Sequence, residues 1–260
     1  WPGHLFYASA QLNPANPIWR DFPKLNEYVT RCQSLLQRGT HDNDLLVYFP
    51  IHDLFHDAED GWVRPLTIKG DWLKKLPAAT TFRSLWRHGY GFDYVSDRQL
   101  RDIQRSAAPP PGTSDGGWRA ILVPPCRFLP LATLESLVAL ARRGAKVVFL
   151  DPLPADVPGL FDLAARRKRF SRLLRTVEHG EDLATLLGRL EVRAEPLASI
   201  PSLLHIRRRH EQGVDYFVCN QGSRSIEAWV ELARPFVEAL IMDPLTGVVG
   251  RARTRGNHGL

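Results

Sequence analysis

Three cysteines in 260 residues, far apart and with neither a Cys-x-x-Cys pair nor a companion His at ligand spacing, are too scattered to staple a fold or hold zinc. Cys32 on a helix stripe and Cys219 in a strand read as small buried hydrophobes, and the redox compartment stays open. No run of eighteen apolar residues exists, which excludes a helical membrane span and gives no reason to expect a membrane partner. No glycine-rich phosphate cradle follows an apolar run, and the His-Glu-x-x-His order of zinc proteases is missing, so no cofactor or metal is implied. Lysine is scarce, and the net charge of +6 is carried by arginine. Its dense spots, Arg166 to Arg169 with Arg172 and Arg175, Arg207 to Arg209, and Arg251 to Arg255, fall on different elements without interleaved aromatics. That is the pattern of solvated faces, and no nucleic-acid partner is expected.

What is present is an ordinary globular composition, 44% hydrophobic and 24% charged, organised around the stretch from Gly117 to Asp151. Trp118 to Val123 is a short apolar run stopped by Pro124 and Pro125, as expected of a strand buried on both faces. Leu131, Leu134, Val138 and Ala141 then recur at helical spacing, Gly144 closes the helix behind Arg142 and Arg143, and Lys146 to Leu150 is the next strand. Two buried strands joined by a helix run parallel with a right-handed crossover, so the core is a parallel sheet with helices on both faces. Asp44 to Phe49 and Phe92 to Val95 supply two more strands, and the first and third of the four are expected to pair centrally.

Around this core, Leu5 to Ala10 reads as a strand leading into Gln11-Leu-Asn-Pro-Ala-Asn-Pro-Ile-Trp19, a turn-rich loop. A helix follows from Pro23, with Leu25, Tyr28, Val29, Cys32, Leu35 and Leu36 on one face and Gly39 at its end. The chain begins Trp1-Pro-Gly-His without Met and is read as a piece of a longer polypeptide, whose last barrel unit this strand, loop and helix would be. Leu160 to Val177 and Leu183 to Leu190 are helical. Beyond Ile200 the period changes to two: Leu203 to Glu211, Val214 to Cys219 and Ile226 to Leu232 read as strands, with a turn at Gln212-Gly213.

The richest candidate chemistry is Ile51-His-Asp-Leu-Phe-His-Asp-Ala-Glu-Asp60, just past the carboxyl end of a parallel strand, where open α/β sheets place ligands. A polar loop lining a pocket, with His52 and Asp53 touching substrate, a His52/His56 metal pair and a solvated loop are three roles open to it. Cys126 sits where a nucleophile elbow would, but Pro125 and Arg127 flank it where small residues are needed, so no catalytic residue is assigned.

The blocks Leu5 to Trp19, Leu25 to Gly39, Trp118 to Pro125, Ala145 to Phe149, Tyr216 to Asn220 and Asp243-Pro-Leu-Thr-Gly247 resemble the later part of the α-L-rhamnosidases of glycoside hydrolase family 106. More distantly they are similar to the family 42 β-galactosidases. The resemblance implies a flavodoxin-like, class I amidotransferase-like α/β domain over residues 41–200. One unit of a truncated (β/α)8 barrel would precede it over 1–40, and the start of a β-sandwich would follow over 201–260. It implies hydrolysis of α-L-rhamnosides, with the catalytic carboxylates upstream of Trp1, and a carbohydrate partner. By position, His4, Gln11, Asn13, Asn16 and Trp19 are its candidate sugar contacts, amides for hydroxyls and an indole for a pyranose face. A loop held together by its own Asn side chains is the competing role. Two other functions stand beside the hydrolase: a non-catalytic carbohydrate-binding or oligomerisation module, and a basic flavodoxin-like regulator.

Overall fold

The computed structural model describes residues 12–56, 71–113 and 117–260. They divide into two compact units, one of Trp1–His41, Ile206–Val218 and Arg234–Leu260, the other of Asp42–His205 and Cys219–Ala233. The expected strand Leu5 to Ala10 lies outside the described residues.

In chain order the first unit contributes α1 (Phe22–Leu36) and β1 (Thr40–His41). The second runs through β2 (Leu45–Tyr48), α2 (Ile51–His56), α3 (Asp71–Lys74), α4 (Ala79–Arg87), β3 (Phe92–Val95), α5 (Asp97–Arg105) and β4 (Ala120–Val123). It continues through α6 (Leu131–Arg142), β5 (Val147–Leu150), α7 (Leu163–Leu174), β6 (Glu178–Gly180) and α8 (Leu183–Arg189). Then come β7 (Leu203–His210) and β8 (Gly213–Asn220), inside which the division between units falls, and finally β9 (Leu240–Met242) and β10 (Val249–Arg251).

Five strands form one parallel sheet in the order β3-β2-β4-β5-β6. As expected, the first and third expected strands are neighbours, with Leu45 opposite Ala120 and Val47 opposite Leu122. The side-chain period of two divides each strand between two cores. Leu46, Tyr48, Ile121, Val123, Val147 and Phe149 pack with Leu100 of α5, Leu134 and Leu137 of α6 and Phe170 of α7. Leu45, Val47, Ala120, Leu122, Val148 and Leu150 pack on the other face with Phe82 and Leu85 of α4 and Leu186 and Leu187 of α8. Every residue of β2, β4 and β5 is buried, which is why these strands read as unbroken apolar runs. Gly89 ends α4 at φ +78, and a Cβ there would stand 2.6 Å from the Glu195 carbonyl oxygen, so only glycine fits this close approach.

The first unit is built differently. No residue of α1 is fully buried; Tyr28, Cys32, Leu35 and Leu36 of its apolar stripe are partly covered, and Leu25 and Val29 are exposed. Guanidinium groups bind backbone instead: Arg31 donates to the carbonyls of Pro244 at 2.6 Å and Leu245 at 2.8 Å, and Arg208 to those of Arg38 at 3.1 Å and Gly39 at 2.9 Å. Arg38 also meets Asp215 at 3.0 Å. β1, β7 and β8 form one sheet, with β1 antiparallel to β7, and β9 pairs antiparallel with β10.

Three expectations are corrected. Ile226 to Leu232 is not a strand: the backbone beyond it is anchored by a side chain, Ala233 N–H donating to Glu195 Oε1 at 2.7 Å. Cys219 is exposed rather than buried, because nothing among the described residues covers either face of the end of β8, where Val218 and Asn220 are exposed too, and Cys32 is only partly buried. The segment after β2 opens as a helical turn, α2, rather than a loop.

Leu122, wholly buried at the centre of the sheet, is expected to cost about 2–5 kcal/mol when truncated to Ala, read as a lower urea midpoint. Val249→Ala on the exposed β9–β10 hairpin should stay within about 0.5 kcal/mol of wild type, and a comparable loss at both positions would contradict the assignment of the core.

Candidate functional site

The strand order reverses at β2, whose two neighbours are β3 and β4, so the loops leaving their carboxyl ends part there and open a crevice. Three segments meet at this point: α2 after β2, Ser96-Asp97 after β3, and Pro124 to Phe128 after β4. His52 and Asp53 both arrive here, as their sequence position predicts.

Asp97 is the centre of the cluster. It opens α5, whose cap is a reciprocal box in which the Ser96 hydroxyl accepts from Gln99 N–H and the Gln99 side chain accepts from Ser96 N–H. Ser96 is therefore the capping residue, and the Asp97 carboxylate is left to other donors. The carboxylate accepts hydrogen bonds from the Tyr48 hydroxyl at 3.0 Å and the Thr133 hydroxyl at 2.5 Å, and faces His52 Nε2 at 3.4 Å. Burial pushes its pKa up, but the bonds from His52, Thr133 and Tyr48 outweigh that and hold it below the ordinary carboxylate value. Tyr48 answers in the opposite sense: burial, then the Asp97 charge, raise its pKa, so it remains a donor.

Asp53 is almost completely buried, and its two oxygens accept from the backbone N–H groups of Arg127 and Phe128, each at 2.8 Å. It fixes the shape of the loop after β4. Cys126, on that loop, is buried, and burial followed by the negative charges of Asp53 and Asp97 raises its pKa far above the normal range. Burial and that raised pKa both favour the thiol over the nucleophilic thiolate.

The outer rim is aromatic and basic. The His56 ring lies 4.5 Å from that of Phe128, over which Arg127 sits at 5.4 Å, and Phe55 is exposed beside His52 at 6.4 Å. His52 and His56 thus turn to different partners, Asp97 and Phe128, and do not share a coordination point. Among the described residues no group of three or more His, Cys, Asp or Glu could hold a metal. Chemically the cluster is a buried network that shapes a polar and aromatic rim. Asp97, Tyr48 and Thr133 escaped sequence reasoning; the available signal was an acidic residue directly at the exit of a parallel strand.

The other candidate contacts belong to the first unit. Asn13 and Asn16 close local turns, their side-chain oxygens accepting from Ala15 N–H at 2.9 Å and Ile18 N–H at 3.0 Å. Trp19, 40% exposed, stacks on Phe22 with ring centroids 6.2 Å apart. His4 and Gln11 lie outside the described residues.

The fold has a counterpart among solved structures. The rhamnosidase from Novosphingobium sp. PP1Y superposes with a TM-score of 0.63 over 96% of this chain and 24% of its own, at 19% sequence identity. At that identity the likeness is one of fold, and the chain spans about a quarter of that protein's length. No protein-family model matches the chain, and no curated protein matches it in sequence.

Asp53→Ala removes the acceptor of two backbone N–H groups and is expected to destabilise the chain by about 1–3 kcal/mol; an unchanged melting curve would refute its anchoring role. Asp97 has a folded pKa below its unfolded value of about 3.9. Its stabilisation is therefore present above that value and is lost as pH falls through the folded pKa. Asp97→Asn should lower stability at pH 7 and flatten the acid limb of a stability–pH curve, measured by denaturant titration from pH 7 to pH about 2.

Proposed function

We propose that the chain is part of a rhamnosidase-like glycoside hydrolase, and the observation that carries this is the agreement in fold with a rhamnosidase over 96% of its residues. The reading is extended by the family 106 resemblance of the sequence. In it, residues 1–40 are the last unit of a catalytic barrel, 41–200 an amidotransferase-like domain and 201–260 the opening of a β-sandwich. The sheet order, with the first strand between the second and third, is the order of flavodoxin-like domains and supports the middle assignment.

Glycoside hydrolysis needs two carboxyl groups free to trade protons or attack a sugar. Asp53 and Asp97 are both engaged by internal donors, and Cys126 is held neutral, so the α/β unit is not assigned the reaction. The catalytic pair is placed elsewhere in the longer polypeptide. The loop of Asn13, Asn16 and Trp19, with His4 and Gln11 before it, would line the sugar site, its turns fixing the shape and the exposed indole meeting a C–H face. At the switch point His52 would touch a ligand, and Asp53 would act by holding the neighbouring loop. The same engaged carboxylates favour a second reading for the α/β unit on its own, a non-catalytic carbohydrate-binding or oligomerisation module.

The test uses an aryl α-L-rhamnoside. The chain alone should give no hydrolysis above background, whereas the longer polypeptide should turn the substrate over. There, Trp19→Ala and Asn13→Ala should each lower kcat/KM about tenfold or more, equivalent to about 1.4 kcal/mol, with unchanged melting. Wild-type kcat/KM in both variants would return the loop to a structural role, and a longer polypeptide without activity would remove the hydrolase.

A further inference from the structure

The outer face of α6 forms the floor of a groove of about 400 Å³ between α5 and α7, all within the second unit. Arg101 and Arg105 of α5, Arg142 of α6 and Arg169 of α7 line it, against one carboxylate among the described residues, that of Glu135. Arg169 pairs with Glu135 at 2.5 Å. The other three meet no carboxylate and donate no hydrogen bond among the described residues. Their neighbours behave otherwise: Arg143 donates to the carbonyls of Gln104, Ser106 and Ala108 at 2.6, 3.0 and 3.2 Å, and Arg98 approaches Asp102 at 3.9 Å. Arg105 and Arg142 stand in last turns, where the helix dipole favours a cation, but Arg101 is one turn further in and has no such support. Arg101 and Arg105, four residues apart, share one face of α5 and point their charges to the same side.

We infer that this groove binds an anionic oligosaccharide, a sugar chain carrying carboxylate or sulfate groups. The choice of a glycan rests on the function proposed above. The anionic character rests on the groove alone. Planar guanidinium groups suit the paired oxygens of carboxylate and sulfate, and binding would supply the counter-charges that three of them lack. Among the described residues no aromatic side chain lines the groove, so they offer no stacking platform of the kind on which single-stranded nucleic acids rely. Apart from Val138 and Leu173 its lining among the described residues is small, polar or charged, which makes a poor pocket for the apolar anchor side chain of an acidic peptide. A stiff sugar chain with regularly spaced anions needs neither.

Calorimetric titration of the full chain tests this with oligogalacturonate for carboxylate and heparin oligosaccharide for sulfate, beside a neutral malto-oligosaccharide and poly-glutamate. At least one anionic sugar should bind with an affinity that falls as salt rises. The combined Arg101→Ala, Arg105→Ala and Arg142→Ala substitution should weaken it tenfold or more. The same three positions changed to Lys should bind better than the Ala variant but less well than wild type. Arg101→Glu alone, on an exposed turn, should also weaken binding and serves if the triple variant fails to fold. Unchanged affinity in the Ala variant or in Arg101→Glu, equal binding of the neutral sugar, or capture of poly-glutamate with neither anionic sugar bound would each overturn the proposal. Rhamnoside hydrolysis by the longer polypeptide without anionic binding sinks the groove alone; anionic binding without hydrolysis sinks the rhamnosidase reading alone.

Discussion

The pairing of β2 with β4 is the constraint on which the larger unit depends. Once Leu45, Leu46 and Val47 lie parallel to Ala120, Ile121 and Leu122, the connections must cross over the sheet, and the helices that do so close both faces of both strands to water. Placing β3 on the other side of β2 then sends successive crossovers to opposite faces. The strand exits part at β2, and the crevice there follows from the order of hydrogen-bonded strands rather than from any loop sequence. The loops only decide what fills it.

What fills it is a set of polar groups that answer one another. Opening the crevice brings Tyr48 and Thr133 hydroxyls and the His52 imidazole toward a region bordered by an apolar core, where unpaired donors are costly. Asp97 receives all three, and it sits at the start of α5, where the helix dipole also favours a negative charge. Asp53 plays the matching part for the loop after β4, holding two backbone N–H groups that no strand or helix satisfies. Burial first, and then the negative charge of these carboxylates, raise the pKa values of Cys126 and Tyr48. A site can therefore look chemically rich in composition and yet have its reactive groups committed to one another.

This also separates what was legible in the sequence from what was not. β2, β4 and β5 announced themselves because burial on both faces leaves no polar residue in them, and their parallel pairing followed from the helices between. β6 did not, since Glu178-His179-Gly180 is an edge strand of three residues that buries little and needs no apolar run. Ile226 to Leu232 carried a strand-like composition but forms no strand, and the chain just after it, at Ala233, is held by Glu195, a partner distant in sequence that no local period reveals. At the crevice, His52 and Asp53 were visible as residues past a strand end, whereas the sharing of Asp97 among β2, α2 and α6 is a long-range convergence that spacing along the chain does not encode. The direction of Asp53, inward to two N–H groups rather than outward to a ligand, was likewise a matter of burial and not of position.

The arginines complete the argument, because the chain uses them almost to the exclusion of lysine in roles that a point charge fills poorly. In the first unit Arg31 and Arg208 each span two carbonyls, and in the second Arg143 spans three, tasks that call for a planar fork of several donors. A net charge read as a diffuse basic surface is thus, in large part, structural wiring that closes loops with irregular backbone. Beside those assigned guanidiniums, Arg101, Arg105 and Arg142 leave an excess of positive charge on the face of α5 and α6. It is a local surplus, set on rigid helices beside a groove, and its meaning lies in the anions it can meet rather than in the composition of the whole chain.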